Sequence, residues 1–333
     1  MAVSMHDVAR AAGVSQRTVS NVVNNYEHVR PETRQRVLDA MAMLGYVPNA
    51  AARSLRSART GLIALVVPDF RARIFADLAD PVVREAGALG YTVLIELTES
   101  DREHELQVLT GGRNQLTDGA IMMAMTLRPD DGQRRRADYP IVLMGDQVLE
   151  GQVCHVGIPN REASLAVARH LVDTGRRRLM LLGYDPDGGL TARMRARGFL
   201  EGVAQAGLSA DETLLVRADW TREGGRQAIE RHLGSGLPMP DAIFAMNDSI
   251  ALGALRALQA RGVRVPKEVA LVGFDDVEEA GYSTPSLTSV SPDVESMAAN
   301  AVAMLHEQIT GKPSGRKPHI MVDFHLKVRE SSQ

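Results

Sequence analysis

One cysteine, Cys154, in 333 residues leaves no partner for an internal disulfide and excludes an all-cysteine metal cage. A reducing compartment is favoured. Long apolar runs are missing too. The longest, such as Leu62 to Val67, are strand-sized, so no membrane partner is expected. The N-terminal MAVSMHDVARAAG has no basic stretch followed by an apolar one, so no export signal is expected and a cytoplasmic protein is. No P-loop, G-x-G-x-x-G, G-x-S-x-G or His-Glu-x-x-His occurs; His104-Glu105 lacks a second histidine at the right distance. The nine histidines and the carboxylates form no metal-ligand spacing, so no metal, cofactor or catalytic activity is expected. Bias is lacking as well: 44% hydrophobic and 24% charged residues are ordinary globular values, which excludes a disordered or collagen-like chain.

What is present is length for two domains or more and an uneven charge. Residues 1–60 carry eight arginines against Asp7, Glu27, Glu32 and Asp39, a net +4. The remainder holds 30 basic and 37 acidic residues, a net −7. A small basic end on an acidic body suggests that only the end meets a polyanion; on charge alone, an arginine-rich solvated surface is equally compatible.

Within that end, Met5, Val8, Ala9 and Ala12 share one helical face. Ser4 with Asp7 resembles a capping box, and Gly13 is a stop. Ser15 can cap a second helix with Val19, Val22 and Val23 inside. Its outer face is Gln16, Arg17, Ser20, Asn21 and Asn24, amide, hydroxyl and guanidinium without a carboxylate. Those groups bond to base edges and phosphates. A third helix is expected from Pro31 to Gly45, with Val37, Met41 and Leu44 as its stripe and Leu38 beside them. Two short helices across a glycine turn plus a packing helix describe a helix-turn-helix unit.

DVARAAGVS, TVS, ETRQRV, LGYVPN and ARSLR stand in this order over residues 3–60, which resembles the DNA-binding headpiece of the LacI/GalR family of transcriptional regulators. The resemblance implies operator contacts through Ser15, Gln16, Arg17, Thr18, Ser20 and Asn21. Gln16, Arg17 and Asn21 take base-reading positions, and Thr18 and Ser20 face phosphate. Many members carry arginine where this chain has Asn21; arginine favours guanine and asparagine adenine. In residues 47–60, Pro48-Asn49 can start a short helix; a basic linker is the plainer reading of the same residues. About eight residues fall below the roughly 12–15 needed for marginal helix stability in water, so it needs a partner to form. By the resemblance this is a hinge helix pairing with its twin in a homodimer. Asn49, Arg53 and Arg56 then lie near DNA, and Leu55 is a minor-groove wedge.

From residue 61 on, short apolar runs alternate with amphipathic stretches. Strands are expected at Leu62–Val67, Tyr91–Leu97, Ala120–Met123, Pro140–Met144, Leu179–Leu182, Ala242–Ala245 and Val269–Phe274. Helices are expected at Phe75–Ala88, Arg161–Val172, Ala192–Ala206, Ser249–Ala260 and Val294–Ile309. This rhythm indicates an α/β fold of parallel sheets covered by helices, in two lobes. VVPDF, GYTVLIE, TDGAIM, MNDSIALGAL, VPKEVALVGFDD, PSLTSV and VRESS stand in the family's order and resemble its type I periplasmic-binding-protein-like body. The expected domains are 1–46 for the helix-turn-helix, 47–60 for the hinge and 61–333 for the body. The N-lobe takes about 61–158 and 292–322, the C-lobe about 159–291 and 323–333.

The resemblance implies a small-molecule effector, a sugar or sugar derivative, in the cleft between the lobes. Its binding residues are Phe75, Arg195, Trp220, Asn247 and Asp275. From the residues alone, spacing favours Asp275 as a cap for the segment that follows, Asp248 as the cap of the Ser249 helix, and Trp220 as core packing or surface burial. Ala72, Arg73 and Ile74 replace the family's Asn-Pro and one of its two aromatics, and Gly145 stands where an aspartate is common, with Asp146 one later. The whole reading is a dimeric ligand-responsive repressor of a palindromic operator on double-stranded DNA. A solute-binding protein or an enzyme on the same body fold are the alternatives; the former would want an export signal and no headpiece.

Overall fold

Helix α1 (Met5–Ala12) begins at Ser4, whose side chain and that of Asp7 close a reciprocal capping box, and it ends at Gly13 with φ 62°. This is the start of a computed structural model describing residues 3–23, 26–46, 59–111, 116–136, 138–151, 153–209, 211, 214–312 and 315–333. The chain forms two compact units, residues 1–60 and 61–333. In the first, Ser15 accepts from the Thr18 N–H at 3.1 Å and opens helix α2 (Gln16–Val23). Helix α3 (Pro31–Leu44) starts on proline and stops at Gly45, again with φ 62°. Val8, Ala9, Ala12, Val19, Val22, Val37 and Ala40 form one buried cluster, with Met41 and Leu44 at its edge. Leu38 does not join the stripe: it is exposed, and Ala40 takes the inward place. On α3, Leu38 sits one residue past Val37, about 100° round the helix, which turns it off the packed face. The expected hinge helix, with Asn49, Arg53, Leu55 and Arg56, lies outside the described residues.

The second unit holds two six-stranded sheets. The first is built from β1 (Leu62–Val67), β2 (Thr92–Leu97), β3 (Ala120–Met123), β4 (Ile141–Met144), β5 (Cys154–Gly157) and a late return, β11 (His319–Met321). Its order is β11-β5-β4-β3-β1-β2, and its paired strands run parallel. The second sheet contains β6 (Leu179–Leu182), β7 (Leu215–Val216), β8 (Ala242–Ala245), β9 (Ala270–Phe274), β10 (Thr288–Pro292) and β12 (Phe324–Lys327), ordered β12-β10-β9-β8-β6-β7. One pair departs from the all-parallel expectation: β10 and β12 are antiparallel. Strand β12 follows β11 of the other sheet after two residues, so no crossover helix turns it parallel to its neighbour.

The central strands β1, β3, β4, β6, β8 and β9 are buried almost throughout, as their continuous apolar runs require. Tyr91, Pro140 and Val269 fall just outside the strands expected to include them. Helices α4 (Arg73–Ala88), α5 (Arg102–Leu109) and α11 (Val294–Thr310) pack in the first half. Helices α6 (Asn160–Asp173), α7 (Leu190–Gln205), α8 (Arg222–Gly234), α9 (Asp248–Ala260) and α10 (Glu278–Tyr282) pack in the second. Helices α6 and α7 lie so close that a Cβ on Gly198 would come 1.9 Å from the Arg161 carbonyl oxygen, so no larger residue fits there.

Candidate functional site

In α2 the outward residues are those the sequence singled out. Ser15, Gln16 and Arg17 are exposed; Thr18, Ser20 and Asn21 are half-buried. The Ser15 and Thr18 hydroxyls share a hydrogen bond of 2.9 Å, so Thr18 is held by the cap that starts its own helix. Arg34 donates to the Tyr26 carbonyl at 2.7 Å and ties α3 to the connection after α2.

The second site lies at the carboxyl ends of strands, where open α/β sheets bind ligands. Phe75, Arg195, Trp220, Asn247 and Asp275, remote in sequence, line one cavity of about 110 Å³. Asp275 follows β9 directly and Asn247 comes two residues after β8. Asn247 is the cap of α9, accepting from the Ile250 N–H at 2.8 Å. Asp248, the expected cap, is instead fully buried, accepting from the Val277 N–H at 2.9 Å and the Ser289 hydroxyl at 2.7 Å. Asp275 is not a cap either, since α10 opens at Val277 without a side-chain cap bond.

Arg195 is buried and fixed. Its Nε donates to Asn160 Oδ1 at 2.6 Å, one Nη donates to the Met246 carbonyl, and its Cζ lies 3.4 Å from the centre of the Phe274 ring. Its other Nη is 3.6 Å from Asp275, longer than a hydrogen bond. The Asp275 carboxylate therefore keeps its acceptor capacity for something else. Burial pushes its pKa up to about 6, against the opposing charge of Arg195, and the Asp146 and Asp77 charges push the same way as burial. Burial also raises Asp248 well above the ordinary carboxylate value, helped by Asp275. Asp275 and Asp276 hold φ of 109° and 53°, both left-handed. Such strain costs on the order of 1–3 kcal/mol per residue and persists where surroundings enforce it. Here Lys327 and Arg329 each bind the Asp276 carboxylate at 2.6 Å.

The first sheet supplies the other wall. Gly145, with φ 100°, turns the chain after β4 so that Asp146 reaches Asn160 and the Thr191 hydroxyl, both of which donate to it. The Gly145 carbonyl is in turn held by His155 Nε2 at 2.7 Å. Burial lowers the His155 pKa, which keeps the ring neutral with its proton on Nε2. The segment after β3, carrying Ala124 and Met125, is gripped by buried Glu105. That carboxylate accepts from the N–H groups of Met125, Thr126 and Leu127 at 2.8, 2.9 and 3.1 Å and from the Thr126 hydroxyl at 2.7 Å. Met123, Met125, Met144, Met297, Ala72 and Ile74 make this side apolar. Asp146, Asn160 and Thr191 were missed as site residues; the strand-end position of Asp146 was the one signal that pointed to it.

Comparison with known proteins gives the same division of labour. Residues 4–49 match the bacterial regulatory proteins of the lacI family, and residues 168–332 match the periplasmic binding protein-like domain. A helix-turn-helix joined to a binding-protein-like sensor defines a transcriptional regulator. The HTH-type transcriptional regulator CelR of Thermobifida fusca is 36% identical over 97% of this chain and 96% of its own length. The chain belongs to the LacI family. A solved complex of the transcriptional regulator CelR with cellobiose superimposes with a TM-score of 0.72 at 32% identity, covering 99% of each chain. The lac repressor dimer bound to operator and the anti-inducer ONPF gives 0.87 at 26% identity, covering 100% of this chain and 99% of its own. These relatives are regulators rather than enzymes. Among the described residues no helix is long and apolar enough to cross a membrane.

Proposed function

We propose that this LacI-family regulator is a cytoplasmic homodimeric repressor that binds a near-palindromic operator on double-stranded DNA and is controlled by a neutral sugar. The observation that carries the effector half is the convergence of Phe75, Arg195, Trp220, Asn247 and Asp275 on one cavity. One guanidinium there faces the two carboxylates of Asp275 and Asp146. That balance disfavours anions and suits a polyol, whose hydroxyls donate to carboxylates and accept from the asparagine amide. The N-lobe is taken as about 61–158 and 292–322, the C-lobe as about 159–291 and 323–333. The sugar shifts the angle between them and hence the pairing of the hinge segments, residues 47–60.

In the headpiece, Gln16, Arg17 and Asn21 read bases, while Ser15, Thr18 and Ser20 meet phosphate. Asn49, Arg53, Leu55 and Arg56 of the hinge lie on the minor groove. For the dimer, Leu94, Ile95 and Leu97 are exposed on β2, the edge of the first sheet. An apolar edge strand of this kind calls for a cover, and a second copy provides one.

The test is to select operator fragments with the full chain and then screen sugars for a change in operator affinity. Arg195→Ala and Asp275→Ala should each weaken the active sugar roughly ten- to a hundredfold, as loss of a charge-assisted hydrogen bond of about 1.5–3 kcal/mol implies. Operator binding without sugar should remain. Variants that respond at the parent's sugar concentration would move the effector site elsewhere.

A further inference from the structure

Asp275 lines the cavity, whereas Asp276, the next residue, does not. Asp276 is nonetheless the better anchored of the two. Its side chain is largely buried, with one carboxylate oxygen held by Lys327 Nζ at 2.6 Å and the other by a guanidinium nitrogen of Arg329 at 2.6 Å. Its N–H donates to the Ser289 hydroxyl at 3.0 Å. We propose that Lys327 and Arg329 are positioning residues of the effector site: outside the cavity themselves, they clamp Asp276 and thereby aim Asp275 into it. The proposal rests on the reading of that cavity as the effector site.

Backbone geometry is the first argument. Asp275 and Asp276 are successive left-handed residues, and neither is glycine. A Cβ disfavours that conformation, and aspartate adopts it singly rather than in runs. The pair therefore has to be held. The Asp275 N–H donates to the Val290 carbonyl at 2.9 Å, which fixes the exit from β9. The Asp275 carboxylate adds no hold of its own, because its nearest cation, Arg195, is 3.6 Å away. The turn beyond it is held through Asp276.

The clamp is itself anchored, which is the second argument. Arg329 donates its backbone N–H to the Thr288 hydroxyl at 2.8 Å and its other terminal guanidinium nitrogen to the Leu287 carbonyl at 2.7 Å. Two residues on, fully buried Ser331 donates to the Leu271 carbonyl at 2.6 Å and accepts from the Thr288 N–H at 2.8 Å. Lys327 lies opposite Ser289 in the pairing of β12 with β10. The clamp thus stands on β9 and β10 of the sheet whose strand end carries Asp275. Charge is the third argument. Burial pushes the Asp276 pKa up, but Lys327 and Arg329 outweigh it and hold the carboxylate below its ordinary value. Asp275 goes the other way: burial raises it, Arg195 opposes, and Asp146 and Asp77 add to the rise. Adjacent carboxylates driven apart in this way have separate tasks, one locked to cations and one left for a ligand.

The experiment sets Arg329→Gln, Lys327→Gln, Arg329→Lys and Asp276→Ala beside the parent full chain, with two readouts. The first is urea unfolding without sugar. Burial raises Asp275 to about 6 in the fold, so the parent loses stability as pH rises from about 4 through about 6. A released turn lets Asp275 reach water, so Arg329→Gln should be flat across that window, while Arg329→Lys keeps the parent's profile. Asp276→Ala, which removes that residue's own titration, should be flat as well. Arg195, Asp146, Asp77 and Asp248, the charged groups around Asp275, are the same in every variant. A purely structural Arg329 would lower stability equally at each pH and keep the parent's slope, which overturns the proposal. The second readout is calorimetry with glucose, galactose, maltose and cellobiose as probes. Any that the parent binds should bind Arg329→Gln and Lys327→Gln about tenfold more weakly and Arg329→Lys within about twofold. In an Asp276→Ala background Arg329→Gln should cost no further affinity, because the clamp has lost its target; an additive loss overturns the proposal. Absence of binding by every probe counts against the sugar reading alone, and the unfolding profile then decides on the clamp.

Discussion

Asp275 combines a strained backbone, a largely buried side chain and a carboxylate that its nearest cation does not satisfy. Each has a cost, and together they mark a group held ready for a partner. The titration follows from the geometry. Its pKa in the fold is about 6, above the ordinary value of 3.8, because burial disfavours the charged form more than Arg195 restores it. A sugar whose hydroxyls donate to the ionised carboxylate should lose affinity about tenfold per pH unit below about 6. In Asp275→Asn that slope should vanish. The same shift acts on folding in the opposite sense. The raised pKa means the folded state holds a proton that the unfolded state releases, so this group's contribution to stability is complete below about pH 4 and is lost as pH rises through about 6. Urea unfolding of the sugar-free protein across that window, against Asp275→Asn, measures it. A flat parent profile in both assays would show that Asp275 is already ionised at low pH.

At the scale of elements, α2 and the hinge carry the operator reading. If Asn21 faces a base, an adenine is expected opposite it, since its amide matches adenine N7 and N6. Asn21→Arg should then move the preference at that position towards guanine, with about 1–3 kcal/mol of discrimination, visible in a binding-site selection. Unchanged preference would place Asn21 against phosphate or water. Arg17→Ala separates the same two roles: relaxed sequence preference if it reads a base, uniform weakening with a flatter salt dependence if it contacts phosphate. For the hinge, Leu55→Ala should strongly weaken specific operator binding, because without a wedge the DNA bend that brings further contacts is lost. Sugar affinity of the full-length variant without DNA should hardly move. Full operator affinity in Leu55→Ala, measured by gel shift, would remove the hinge assignment.

For the molecule as a whole, two states and two ligands are linked. A sugar that lowers operator affinity by some factor must itself bind the operator complex more weakly by that factor, and a corepressor shows the reverse. Titrating sugar with and without operator measures the factor, and titrating operator with and without sugar must return the same one; a factor of one would mean that the two sites are not coupled. The dimer is tested at the edge of the first sheet. Ile95→Arg buries a charge if β2 is covered by a second copy, so sedimentation should show monomers and operator binding should fall with them. A variant that remains dimeric at the parent's concentration dependence would put the contact on another face.

The local elements were legible because local rules specify them. The Ser4–Asp7 box, Pro31, Gly13 and Gly45 set helix ends through their own backbone chemistry, and the continuous apolar runs at Leu62–Val67 and Ala242–Ala245 needed burial on both faces whatever surrounded them. The family's motif order placed Asp275, Asn247, Arg195, Trp220 and Phe75 as candidates. What tertiary structure alone decided was everything that depends on residues far apart in the chain. Leu38 turned outward because the partner helices cover the face of Val37 and Ala40. Strand β12 ran antiparallel because it arrives from the other sheet. Asp248 was drawn from a helix cap into the core by Val277 and Ser289, and Asn247 became the cap. The pKa of Asp275 and the grip of Glu105 on Met125 are likewise properties of an assembled cavity. Burial and orientation are sums over neighbours, and sequence spacing names the candidates without fixing which of them become neighbours.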